Sequence, residues 1–187
     1  MKECPRKLNY VEELDILNVG ITGYTIIGSG PLAIRGLRSN NNIDILVNNE
    51  VWNFLREKYS PKFELLKTHF GKEATIDIGK VSINYVCEPF KNSSEVIIEG
   101  DLIEGHNYIG LVDLVAAKFN AGSAQDKEDL DILKEYLGNA TMKEIYGTGN
   151  GEIVNLVDLI TSKLKINTFQ NRRELENIKK YVAHRKI

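Results

Sequence analysis

The stretch Tyr24–Val47 reads YTIIGSGPLAIRGLRSNNNIDILV. It sets a Gly28-Ser29 corner after one apolar β-like run and Asp44 at the start of a second. Glycine lets an anion approach the backbone closely, and amides at a helix start carry partial positive charge. The Ser29 hydroxyl adds a donor. Such a corner suits the phosphates of a nucleotide. Residues i and i+2 of a strand point to one face, so positions 42 and 44 present their side chains together. Two carboxylates at that spacing would share Mg2+ ions that bridge nucleotide phosphates and activate an attacking hydroxyl. Here only Asp44 is acidic; the other position is Asn42, a neutral and weaker ligand for a hard cation.

The corner also fits the dinucleotide pattern G-x-G-x-x-G/A through Gly28, Gly30 and Ala33. That fold needs its acidic residue at the far end of the second strand, where it meets a ribose. Asp44 opens the second β-run instead, and the downstream sequence lacks alternating β-α units. A triphosphate at the corner is the better reading. The plain structural alternatives are a strand-to-helix turn capped by Ser29, and Asp44 paired with Arg35 or Arg38. Those two arginines are also placed to meet a nucleotide or RNA phosphate.

These side chains need a sheet to hold them. Apolar spacing predicts a helix over Leu8–Val19, ended by Gly20 and Gly23. Strands are predicted at Tyr24–Ile27 and Ile43–Val47, with a short helix over Gly30–Leu37 between them. A helix over Glu50–Tyr59, capped by Asn49 and stopped by Pro61, follows. Phe63–Thr68, Ala74–Ile78 and Val81–Val86 read as strands, the last two joined at Gly79-Lys80. Val96–Ile98 and Asn107–Ile109 read as two more. The period then changes to helices at Leu111–Ala121, Asp126–Leu137, Ile153–Leu164 and Arg172–Arg185, with Gly147–Gly151 as a glycine-rich linker. Strands followed by helices predict an α+β protein.

Composition sets the bounds. The chain has 187 residues, 42% hydrophobic and 27% charged, which predicts one compact domain with a helical appendage rather than a disordered chain. Apolar runs are too short for a membrane span, and no leader pattern opens the chain, so a cytoplasmic protein with no membrane partner is expected. Cys4 and Cys87 form no framework, and His69, His106 and His184 lack metal-ligand spacing. Charge is uneven. From Ser162 onward eight basic residues stand against two acidic ones, while the rest of the chain is acidic. A basic C-terminal end either contacts nucleic acid or docks on the acidic body.

The motif GSGPLAIRGLR…NIDILV resembles the signature of the nucleotidyltransferase superfamily of DNA polymerase beta type, h-G-[GS] followed by [DE]-h-[DE]-h. LVDLVAAKFNAGSAQDKEDLDIL is similar to the later helical motif of small bacterial members related to abortive-infection AbiEii proteins, with Lys118, Asp126 and Asp129 at the matching positions. The resemblance implies a nucleotidyltransferase-like mixed β-sheet flanked by helices over 1–138, and a C-terminal helical bundle over 139–187 packed on it. It implies a nucleoside triphosphate held by Gly28, Ser29, Arg38 and Lys118, with Mg2+ on Asp44, Asn42 and one further acid. The family's third acid belongs on a later strand. Ser82 and Asn84 fill its slots, which leaves Asp77 as the substitute. Ser123 and Gln125 stand where the helical motif carries basic residues. The product would be a nucleotidyl group on an acceptor hydroxyl of RNA or protein. The depleted ligand set implies an alternative, a catalytically silent module with a cognate partner protein in a toxin–antitoxin pair. A further alternative is an RNA-binding protein acting through its basic C-terminal helix.

Overall fold

The computed structural model describes residues 6–59, 62–68, 71–86, 93–147, 151–165 and 169–185. It is an α+β protein whose chain forms two compact units, Met1–Gly110 and Leu111–Ile187. The division falls at Gly110, ahead of the expected boundary at 138. The cause is local packing: the helices Leu111–Ala121 (α5) and Ala124–Leu137 (α6) pack with the later helices of the second unit.

The first unit is built on one seven-stranded mixed sheet. Its strands are β1 (Tyr24–Ile27), β2 (Ile43–Val47), β3 (Lys62–Thr68), β4 (Gly71–Ile78), β5 (Val81–Val86), β6 (Asp101–Ile103) and β7 (His106–Tyr108), in the order β3-β4-β5-β2-β1-β7-β6. β1 and β2 are antiparallel, whereas β2–β5 and β1–β7 are parallel. β4 and β5 form a hairpin at Gly79, which has φ +58°.

Alternation divides the sheet into two faces. Ile26, Ile43, Ile45, Val47, Ile76, Val81 and Ile83 belong to the buried core. They pack with Leu14 and Leu17, on and just after helix α1 (Val11–Ile16), and with Trp52 and Leu55 of α3 (Asn49–Lys58). The other face carries Thr25, Asp44, Leu46, Ser82, Asn84, Thr75 and Asp77. Helix α4 (Ser93–Ile98) packs against β1 and β2 there, and Asn107 on that face donates to the Ile97 carbonyl at 2.7 Å.

Several sequence expectations change in this unit: the helix expected over Gly30–Leu37 shortens to Gly30–Ala33, and the strand expected at Asn107–Ile109 is His106–Tyr108. Val96–Ile98 is helical, within α4, because Val96 and Ile97 cover the sheet instead of joining it; both are buried, while Ile98 is exposed. The cap of α3 is Asn48, whose side chain accepts from the Val51 amide at 2.9 Å, so the helix starts one residue earlier than expected. The first helix shortens to Val11–Ile16. Pro61 lies outside the described residues.

In the second unit α5 and α6 are joined by α7 (Met142–Tyr146), α8 (Leu156–Lys165) and α9 (Phe169–His184). A two-stranded ribbon, β8 (Asn139–Thr141) with β9 (Ile153–Asn155), replaces the expected helical start at Ile153. The Gly147 end of the expected linker is the left-handed C-cap of α7, with φ +70°. No described helix is long and apolar enough to cross a membrane.

Candidate functional site

The Gly28–Ser29 corner and Asp44 meet. Ile27, the last residue of β1, is paired with Asp44 across the antiparallel ladder. The chain then turns at Gly28, with φ +65°, into the short helix α2 (Gly30–Ala33). A Cβ built on Gly28 would stand 2.5 Å from Asp44 Oδ2. Glycine is therefore required twice here, for its left-handed backbone and for the space the carboxylate occupies. Ser29 sits at the helix start, but its hydroxyl makes no capping hydrogen bond, so the simple cap reading does not hold.

Asn42 lies beside Asp44, as the strand spacing predicts, and its role is visible in the contact. Asn42 Nδ2 donates to Asp44 Oδ1 at 2.8 Å. An amide N–H cannot ligate a cation, so only the Asn42 oxygen could serve a metal. Asn40 holds this segment in place, donating to the Asn42 carbonyl at 3.0 Å.

Register extends the site sideways. Asp44 pairs with Ser82 across the parallel β2–β5 ladder, and Ser82 pairs with Asp77 across β5–β4. Directly opposed residues share a face, so Asp44, Ser82 and Asp77 form one row over three neighbouring strands. Strands lie about 4.8 Å apart, which puts the two aspartate backbones roughly 10 Å apart. Ser82 Oγ donates to Asp77 Oδ1 at 2.7 Å and draws that carboxylate over β5. Asp44 is half-buried and Asp77 exposed.

The arginines separate. Arg35 is buried; its Nη1 donates to the Pro31 carbonyl at 2.9 Å and its Nη2 pairs with Asp101 at 2.6 Å. Its partner is thus Asp101, not Asp44. Burial pushes the Asp101 carboxyl up, and the Arg35 guanidinium only partly offsets this. Arg38 is half-exposed, and its Nε donates to the Ser39 carbonyl at 3.2 Å.

Lys118, Asp126 and Asp129 come together in the second unit. Lys118 Nζ lies 3.1 Å from Asp126 Oδ1 and 2.7 Å from Asp129 Oδ2. Lys118 and Asp129 are both buried. Asp126 also closes a capping box at the start of α6, where Ser123 N and Oγ donate to its Oδ2 and Ser123 Oγ accepts from its amide. Burial raises the Asp126 carboxyl, but the Ser123 and Lys118 hydrogen bonds outweigh it, and the net pKa falls below the ordinary value. The lysine on its apolar helix is therefore neither snorkelling nor free for phosphate: it neutralises two carboxylates.

Among the described residues no group of three or more His, Cys, Asp or Glu is arranged to hold a metal. His106 Nδ1 meets Tyr24 Oη at 2.8 Å and His184 Nδ1 meets the Lys180 carbonyl of its own helix at 2.6 Å; His69 lies outside the described residues. Ser82 was visible in the sequence only as a missing acid. Its link to Asp77 depends on cross-strand register, which no local spacing reveals. No family model matches the sequence, and no curated protein matches it.

Proposed function

We propose that the first unit is a nucleotidyltransferase-like fold that binds a nucleoside triphosphate with Mg2+ and passes a nucleotidyl group to an acceptor hydroxyl. The observation that carries this reading is the packing of the Gly28 corner on the Asp44 carboxylate. A metal-bridged phosphate needs backbone amides and an anionic oxygen at one point, and this contact supplies both. The amides of the corner and the Ser29 hydroxyl would face the phosphates. Asp44 would ligate Mg2+, with Asp77 approaching from two strands away and Asn42 contributing its oxygen. Mg2+ supplies charge neutralisation at the phosphates and lowers the pKa of a bound hydroxyl. Arg38 remains a candidate phosphate contact on the segment after the corner.

The test is transfer of label from α-³²P nucleoside triphosphates, in Mg2+, to RNA or protein acceptors. The reading expects labelled acceptor with the wild type and none with Asp44→Ala. Label that persists in Asp44→Ala, or triphosphate binding that is indifferent to Asp44, overturns it.

A second reading has its own observation. The Asn42 amide already occupies Asp44 Oδ1, where an active pair of acids would share a cation. This favours a catalytically silent nucleotidyltransferase-fold binding module, antitoxin-like or regulatory. Calorimetry separates the two: the silent module binds triphosphate or its protein partner and transfers no label.

A further inference from the structure

The second unit carries a groove of about 290 Å³ lined by Glu144, Ile145, Asn177, Lys180, Tyr181 and His184. Its chemistry follows from the way α9 divides its faces. Ile178 and Val182 are buried, and the helix packs against α5, α7 and α8. Arg173, Asn177, Lys180 and His184 are spaced four, three and four residues apart. That spacing puts them on one stripe, on the side of the helix away from Ile178 and Val182. The ion pairs of α9 leave from other positions: Glu174 pairs with Lys163, and Lys179 with Asp113.

The groove is rich in donors. Its one carboxylate, Glu144, is engaged by its own helix cap, accepting from Thr141 N at 2.6 Å and Thr141 Oγ1 at 2.8 Å. The Arg185 guanidinium lies 5.7 Å from the Tyr181 ring centre and is itself anchored on the Leu137 carbonyl at 2.8 Å. Arg173, Lys180 and His184 are exposed, and together they run about 16 Å along the helix. The ligand this arrangement fits carries a repeating negative charge and a flat polar ring. A lone phosphate would meet one cation and leave the stripe unused. A membrane surface would need apolar residues beside the basic ones, yet Ile178 and Val182 of α9 are buried on its inner face.

We propose that this face of α9 and the adjoining groove bind single-stranded RNA, with Arg173, Lys180 and His184 on successive phosphates and Tyr181 with Asn177 receiving a base. The inference is independent of the triphosphate reading, and loss of binding at Asp44 leaves it intact. The basic end of the chain then serves two purposes: its inner face packs and its outer face recognises.

Fluorescence anisotropy with a labelled single-stranded RNA of mixed sequence tests it. The full chain should bind at about 50 mM salt and weaken steeply as salt rises. Arg173→Gln/Lys180→Gln should weaken binding and flatten the log–log salt slope by about 1.4, or about 0.7 per phosphate contact. Its melting temperature should stay unchanged, because both residues are exposed. Tyr181→Leu should weaken binding roughly five-fold or more, with the salt slope retained, as loss of a base stack does. If the double variant does not fold, Lys180→Gln alone is read, with half the change in slope. No binding by the wild type at about 50 mM salt overturns the proposal. So do equal binding by wild type and double variant, and competition by poly-glutamate or inorganic phosphate as strong as by unlabelled RNA.

Discussion

Gly28 and Asp44 are fitted to one another: the carboxylate of one occupies the space that a side chain on the other would need, 2.5 Å from the Cβ position. Gly28→Ala should therefore cost about 1–3 kcal/mol, from the left-handed backbone and the overlap together. Urea unfolding of Gly28→Ala, Asp44→Ala and the double variant separates the two terms. The double variant should recover the overlap and keep the backbone cost, roughly 1–2 kcal/mol. Full additivity would mean that the two residues do not touch.

Asn42→Asp replaces a donor 2.8 Å from Asp44 Oδ1 with a second carboxylate. Without metal the like charges should repel, lowering the melting temperature and raising the pKa of the pair. With Mg2+ the variant should gain stability and bind the ion more tightly than wild type, since each anionic ligand adds attraction for a hard cation. Calorimetry and melting curves with and without Mg2+ decide this. Absent binding in both proteins would show a site abandoned, not weakened.

Lys118 is buried between Asp129, which is fully buried, and Asp126, which is half-buried, and removing its cation leaves the Asp129 carboxylate uncompensated. Lys118→Met should destabilise by about 3–5 kcal/mol, read by denaturant unfolding. Adding Asp126→Asn and Asp129→Asn should recover much of that loss. A loss under about 1 kcal/mol, typical of an exposed pair, would contradict the burial.

The same cluster gives a pH dependence of known sign. The folded-state pKa of Asp126 lies below its ordinary value of 3.8. The folded state therefore prefers the ionised form. Its stabilisation is complete above the ordinary value and is lost as pH falls through the lowered one. Between about pH 5 and pH 3, Asp126→Asn should show a shallower loss of stability than wild type. Parallel curves would remove Asp126 as a contributor.

Ile178 is fully buried on the inner face of α9. Ile178→Ala should cost about 2–5 kcal/mol in equilibrium unfolding, as truncation in a packed core does. A change within about 0.5 kcal/mol, the range of a surface substitution, would mean that α9 does not dock through this residue.

Much of the sheet was legible in the sequence. Tyr24–Ile27 and Ile43–Val47 are strands with the expected ends, and α5 spans the expected residues, because each carries a continuous apolar signal bounded by glycine or a turn. Val-Ile-Ile at 96–98 fits a strand and a buried helix equally, and only its packing on β1 and β2 decides. The three-residue strands β6, β8 and β9 are too short for a period and exist through their partners. At the site, Gly28, Ser29, Asn42 and Asp44 are close in sequence, and their adjacency was readable. The row through Ser82 to Asp77 was not, since register joins strands nearly forty residues apart. The Lys118 motif was visible, but its burial with Asp129 was not.

The parallel β2–β5 pairing has one more consequence. β1 with β2, and β3 with β4 and β5, are each antiparallel sets closed by comparatively short connections. Local closure favours their early formation, while the β2–β5 seam must bring together distant stretches of chain. Asp44 stands on one side of that seam, and Ser82 with Asp77 on the other. The constellation therefore comes into being only when the two halves of the sheet have joined. A ligand that spans it would act as a clasp across the seam, holding the sheet shut in proportion to its concentration.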